Sequence, residues 1–162
     1  MILLNLMYEK LVNIILKYNA DIAHCGYKKH YIDGTTKSFH NTNKCIVQDN
    51  FEGLECLMGG NLFVGSLCNK VYRKMLFKNI EYDKSIKFNE DILVNYYLFK
   101  NSQKSVFIDI DKYNYWEREE ASTKRKNIIN LSLDGVKVAR CIYEDCIDIK
   151  LKNIAKRKLI LS

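Results

Sequence analysis

The sequence predicts an α/β domain: a mixed sheet flanked by helices and followed by a helical C-terminal tail. Three observations predict it. Apolar residues near the start recur at helical spacing, the run around residue 110 alternates at the period of a strand, and helical and extended segments follow one another along the chain. The 162 residues, 48% hydrophobic and 12% aromatic, are enough for one domain with a substantial core, and they exclude a disordered chain.

Residues 4–18 place Leu4, Met7, Leu11, Ile14, Ile15 and Tyr18 on one face and Glu9, Lys10, Asn13 and Lys17 on the other, an amphipathic helix that Asn19 ends. The stretch ADIAHCGYKKHYI (20–32) reads as a strand closed by the Asp33-Gly34 turn signal, and a short polar strand or loop returns through residues 35–46. In DNFEGLECLMGG (49–60), Asp49 and Glu52 have capping-box spacing and Gly59-Gly60 stops the short helix between them. NLFVGSLCNKVYRKMLFKN (61–79) is an apolar approach to Asn69-Lys70 and then a basic, helix-compatible turn ending near Lys78. In KFNEDILVNYYLF (87–99), Asn89, Glu90 and Asp91 precede an apolar, aromatic run, the pattern of a helix N-terminus. SVFIDIDKYNYWERE (105–119) alternates strongly enough for one or two strands, and residues 128–161 are helical with two or more apolar stripes. With no proline, low-complexity linker or repeat, the one division is between residues 1–126 and a basic helical tail, 127–162, packed on or extending from them.

The net charge of +7 is unevenly placed. From Ala121 onward there are ten Lys or Arg against four Asp or Glu, so +6 of it belongs to the tail. One cluster is Lys124, Arg125 and Lys126. The other, Lys150, Lys152, Lys156, Arg157 and Lys158, is interleaved with Ile149, Leu151, Ile154, Leu159 and Ile160. A solvated helix face is the plain reading; an anionic membrane surface is the sharper one, because such a helix gains both charge attraction and apolar burial there. No nucleic-acid motif accompanies the charge, so nucleic acid is not an expected partner. The six cysteines are irregularly spaced with no Cys-x-x-Cys and read as reduced, mostly buried thiols. The opening residues lack a signal-peptide pattern, and no apolar run approaches the ~18 to 20 residues that span a bilayer. A cytoplasmic location is expected, with the tail at the inner face of the membrane on the lipid reading.

Glu90 and Asp91 admit two readings. Acids in a first helical turn favour the macrodipole by ~0.3 to 1 kcal/mol and need no other reason to be there. Alternatively one of them is a general base at a cleft rim, ionised because a carboxylate titrates near ~4. Periodicity leaves open which of the two would face the cleft. His24, Cys25, His30, His40 and Cys45 suggest zinc, but His24 and Cys25 are adjacent on a strand and face opposite sides, and no zinc-site spacing occurs. Tyr113, Tyr115 and Trp116 read as strand packing or as a platform for a sugar or base. GLECLMGG has no strand before a Gly-x-Gly turn and so no nucleotide-binding fingerprint.

The order of segments is more specific than any of them. A helix with an "ADI" strand, an "NK-x-Y" segment (Asn69, Lys70, Tyr72), an "ED" pair (Glu90, Asp91), and a strand ending in "Y-x-Y" with Arg and Ser beyond it (Tyr113, Tyr115, Arg118, Ser122) together resemble the second half of family 2 glycosyltransferases. These have the GT-A fold, and the likeness, over residues 8–125, is to bacterial enzymes of surface or capsular polysaccharide synthesis. The resemblance implies an inverting transfer of sugar from a nucleotide-diphosphate donor to a hydroxyl of a glycan or lipid-linked acceptor. It implies Asp91 as general base, with Glu90 orienting it or binding acceptor. Asn69, Lys70, Tyr72 and Tyr115 would line the cleft, Arg118 and Ser122 would lie on a segment closing over the phosphates, and Mg2+ or Mn2+ would neutralise the leaving diphosphate.

In that family the matching region follows an Asp-x-Asp metal motif, and no Asp-x-Asp occurs in the first twenty residues; the DID at residues 109–111 falls on a late strand. The nucleotide-binding half has no counterpart. The expectation is therefore an acceptor-side half, with no metal ligands of its own and incompetent for turnover alone. Its exposed sheet edge would favour self-association or a separate donor half. The reading from another class is a non-catalytic interaction module whose basic tail binds an anionic surface.

Overall fold

Five strands make one mixed sheet in the computed structural model, which describes residues 2–39, 41–60, 62–63, 65–81, 83–118 and 128–161. Helix α1 (Ile2–Tyr18) turns at Asn19 (φ 45°), a left-handed position that asparagine tolerates, into β1 (Ile22–His30). β1 is the central strand. On one edge it pairs in parallel with β5 (Lys104–Trp116); the other edge is shared by two short antiparallel strands, β4 (Lys70–Tyr72) beside residues 22–24 and β2 (Thr36–Phe39) beside residues 27–30. β3 (Cys45–Asp49) runs antiparallel to the first half of β5. Among the described residues no strand covers the outer edges of β2, β3 or β4.

Because β1 and β5 are covered on both faces, their alternation feeds two cores. Ala23, Cys25, Val106, Ile108 and Ile110 meet Met7, Leu11, Ile14 and Ile15 of α1. Ile22 and Phe107 face a larger core built with α2 (Asn50–Gly59), α3 (Glu90–Asn101), α4 (Ile128–Asp145) and α5 (Ile149–Leu161). His24 lies on this second side, among the rings of Phe63, Phe99 and Phe107, so it and Cys25 do face apart. Val138, Ile142, Leu151 and Ala155 bury α4 and α5 in the larger core, and Tyr96 Oη and Lys100 Nζ both donate to Asp145 Oδ2 at 2.7 Å.

Beyond Cys25 the ladder shifts: Cys25 pairs with Ile108 but Tyr27 with Tyr113, leaving residues 109–112 opposite Gly26. A Cβ on Gly26 would come within 3.0 Å of the Ile110 and Phe39 carbonyl oxygens, so only glycine fits comfortably at this bulge. Past it, β1 becomes half-buried and the end of β5 runs out to an exposed Asn114, Tyr115 and Trp116.

Local signals and structure agree at several points. Asp49 Oδ1 accepts from Glu52 N at 2.8 Å and Glu52 Oε2 from Asp49 N at 3.0 Å, and Gly60 (φ 68°) ends α2. Gly34 (φ 84°) makes the β1–β2 turn, with Asp33 Oδ1 accepting from Thr35 N at 2.8 Å. Elsewhere the structure corrects the reading. β3 is a separate strand before α2. The basic segment after Lys70 forms β4 and one 3-10 turn (Lys74–Phe77) because β1 offers it an open edge to pair with. Of the six free cysteines only Cys25 and Cys146 are buried; Cys45 on the outermost strand and Cys68 in the loop before β4 are exposed. No helix among the described residues is long and apolar enough to cross a membrane.

Candidate functional site

Lys70 and Tyr72, two apart on a strand, project from one face of β4, while Asp91 and Asn95, four apart on a helix, project from one face of α3. Both spacings are about 6 to 7 Å, so the two pairs can meet side by side. Tyr72 Oη donates to Asn95 Oδ1 at 2.6 Å, and Asn95 Nδ2 donates to the Gly65 carbonyl. Gly65 lies so close to α3 that an added Cβ would be 2.6 Å from Ile92 Cγ1. The loop of residues 65–69 is thereby held against the start of α3.

Lys70 is only 4% exposed. Its Nζ donates to the Ser66 carbonyl at 2.6 Å and to Asn69 Oδ1 at 2.9 Å. Asn69 extends the β1–β4 pairing: its carbonyl accepts from Cys25 N at 3.1 Å and its Nδ2 donates to the Cys25 carbonyl. Burial pulls the Lys70 ammonium down to about 7, with the charge of Asp91 resisting. Burial, and then Glu90, push the Asp91 carboxyl above the ordinary aspartate value; the Ile92 amide and Lys70 resist that. The Tyr72 phenol is raised by burial and then by Asp91. Lys70 and Tyr72 both feel the charge of Asp91, second to burial in each case.

The segment leading to Asp91 is held from outside its own helix. Asn89 occupies the N-cap position at φ 61° without a side-chain cap bond. Instead Asp134 of α4 accepts from Lys87 N at 2.8 Å and Phe88 N at 3.1 Å through Oδ2, and those amides hold its carboxyl below the usual aspartate value. Lys137 Nζ donates to the other oxygen at 3.4 Å.

A cleft of about 250 Å3 borders the same loop, lined by Tyr27, Lys29, Ser66, Asn69, Tyr113 and Tyr115. Tyr27 pairs with Tyr113 and Lys29 with Tyr115 across β1 and β5, so three phenols share one face beyond the bulge. Trp116 faces the other way and stacks on His30, ring centroids 3.9 Å apart. Ser66 and Asn69 line the cleft and also accept hydrogen bonds from the Lys70 ammonium.

Of the residues singled out from sequence, Lys70 and Tyr72 share β4, Tyr72 is tied through Asn95 to α3 one turn from Asp91, and Asn69 and Tyr115 line the cleft. Glu90 faces elsewhere, beside Glu81, Asp83 and Tyr97 in a separate small recess. Arg118 is exposed just beyond β5, and Ser122 lies outside the described residues. Sequence reasoning missed Asn95, Gly65, Tyr27 and Asp134; an asparagine within the apolar run ILVNYYLF was the one available signal.

For the divalent cation that the resemblance implies, the described residues do not fit: no three His, Cys, Asp or Glu converge to hold one. Asp109 Oδ2 accepts from Thr42 N at 3.1 Å and Thr42 Oγ1 at 2.6 Å, while Asp111 Oδ2 takes Ser38 Oγ at 2.6 Å and pairs with Lys28 at 3.2 Å. These two carboxylates tie the strands and loop around β5 together. No protein-family model matches the chain, and no curated protein matches it.

Proposed function

We propose that this domain is the acceptor side of an inverting, GT-A-type glycosyltransferase, with Asp91 as its general base and the tyrosine cleft as the seat of an acceptor sugar ring. The observation that carries the proposal is the meeting of the "NK-x-Y" and "ED" segments beside a cleft with aromatic walls. Phenol faces accept the C–H face of a pyranose while their hydroxyls and Asn69 offer hydrogen bonds to ring substituents. The Asp91 carboxylate takes the proton of the acceptor hydroxyl as that oxygen attacks the anomeric carbon; the bond from that carbon to the diphosphate oxygen breaks, and the diphosphate leaves with the electron pair. A carboxyl raised above its usual pKa is the stronger base while it remains ionised. Donor and cation binding fall to a donor half outside the described residues.

Saturation-transfer NMR with a panel of pyranosides tests the acceptor seat. Binding is expected, and Tyr113→Ala and Tyr115→Ala weaken it. A panel that fails to bind, or binding indifferent to both substitutions, overturns the seat.

One observation favours a second reading, an interaction module on an anionic membrane. At the corner between α4 and α5, Ile147 is 94% and Ile149 71% exposed, beside exposed Lys150, Lys156 and Arg157. This reading predicts salt-sensitive sedimentation with anionic vesicles that is lost in the Ile147→Ser, Ile149→Ser double variant. Equal recovery with neutral vesicles contradicts it.

A further inference from the structure

We infer that the sugar seated in the tyrosine cleft is acidic: Lys29, at the outer end of the cleft, and Lys37, opposite it across β1 and β2, hold a carboxylate or phosphate carried by the pyranose. The inference rests on the acceptor seat proposed above and adds the class of sugar that the seat takes. Among the described residues, Lys29 is the charged group lining the cleft, and no acidic residue lines it. Asn69 bonds to the Cys25 carbonyl at the loop end, and Lys29 stands four residues further along β1, about 13 Å away on an extended strand. The cleft therefore runs from neutral hydrogen-bonding groups at one end to an ammonium at the other.

The two lysines weaken the sheet unless an anion joins them. Lys29 faces Lys37 directly in the β1–β2 register, and like charges at such a position repel. Both lie on the face of Tyr27, Tyr113 and Tyr115, because Tyr27 and Lys29 are two apart on β1, and Lys37 pairs with Lys29 as Phe39 pairs with Tyr27. Among the described residues one carboxylate reaches them: Glu117 stands 3.7 Å from Lys29 Nζ, an ion pair longer than a hydrogen bond. Two ammonium groups against one carboxylate leave a positive charge uncompensated. Lys29 Nζ also sits 4.5 Å from the Tyr31 ring centroid and Lys37 Nζ 5.0 Å from that of Phe39, contacts that occupy no oxygen acceptor. Each ammonium thus keeps donors for an anion, and Lys37, exposed, and Lys29, 26% exposed at its side chain, are open to one arriving from solvent. A neutral sugar leaves the repulsion in place; an acidic one relieves it while its C–H face rests on the phenols.

Isothermal titration of the whole chain with methyl glucoside, methyl glucuronoside, a glucose phosphate and inorganic phosphate tests it. At low salt at least one of the two sugar acids is expected to bind about tenfold tighter than methyl glucoside, and the one that does names the anionic group. Lys29→Met removes that preference, Lys29→Arg keeps it, and added salt weakens it. Equal affinity for neutral and acidic sugars, or a preference that survives Lys29→Met, overturns the inference. So does inorganic phosphate that binds as tightly as the sugar acids, because the ring then adds nothing, and so does a single-stranded oligonucleotide that outcompetes them. Should Lys29→Met not fold, Lys37→Met, at an exposed position of a short edge strand, decides: the preference falls severalfold, and an unchanged preference overturns the inference. The seat and its charge preference fail separately. Neutral and acidic pyranosides that bind alike leave the seat standing, whereas a panel in which nothing binds removes both.

Discussion

The Tyr72 hydroxyl donates to the Asn95 side-chain oxygen at 2.6 Å, tying a three-residue strand to a helix turn 23 residues further on. Asn95 is fully buried and passes the link to the Gly65 carbonyl, so one amide holds strand, loop and helix together. Tyr72→Phe removes the donor and leaves Asn95 Oδ1 without it, at an expected cost of about 1 to 3 kcal/mol. The check is urea unfolding, where the midpoint falls and the slope is unchanged; an unmoved midpoint means the bond contributes nothing.

Gly65→Ala drives a methyl group to 2.6 Å from Ile92 Cγ1 and is expected to destabilise by about 1 to 3 kcal/mol. Ile92→Ala makes room for it. In a double-mutant cycle the pair should therefore cost less than the sum of the single changes; strict additivity argues that the loop does not rest on α3.

Lys70 gives the protein a pH dependence on the alkaline side. Unfolded, it keeps its proton to about 10.5; folded, it releases it near 7, so the unfolded state binds the extra proton between those values and stability rises with pH. The Cys25 thiol, raised from 9.0 to about 11 by burial, works in the opposite direction above pH 9, which leaves pH 7 to 9 as the informative window. Across it the slope is up to ~1.4 kcal/mol per pH unit, read from urea midpoints. Lys70→Met flattens it, and a slope that persists in the variant belongs to another group.

His24 acts on the acid side. Its ring sits between three phenylalanines with no hydrogen bond of normal geometry to either nitrogen, and Gln48 is the polar side chain acting on it. Burial, then Lys70, hold it neutral well below 6.5, whereas the unfolded chain protonates it at that value. The unfolded state binds more protons below pH 6.5, and stability falls as the pH drops through it. His24→Leu is expected to remove this part of the acid limb; identical acid limbs in the two proteins contradict the assignment.

Features set by adjacent residues were legible in the sequence. The Asp49–Glu52 box, the Gly60 stop and the Asp33-Gly34 turn involve groups within four residues of one another, and each forms as its spacing requires. α3 was legible as a helix, but which acid turns inward was not. That depends on β4 arriving beside Asp91, while Glu90 is left beside Glu81 and Asp83. The parallel pairing of Ile22 with Ser105 joins residues with more than eighty positions between them, and no local pattern encodes it. Asp134 reads as an ordinary polar position on a helix; only the arrival of the Lys87 and Phe88 amides gives it a task.

Complementation reads the central claim most directly, because the cell supplies whatever donor half the transfer needs. The coding sequence is deleted from the source cell and restored as wild type or as Asp91→Asn, and surface glycan is analysed by sugar composition together with transfer from labelled nucleotide sugars in the membrane extracts. The account predicts that deletion removes a sugar, that wild type restores it, and that Asp91→Asn, folded and equally abundant, loses transfer by about 10²- to 10⁴-fold. Glycan and transfer restored equally by Asp91→Asn, or unchanged by the deletion, would contradict it.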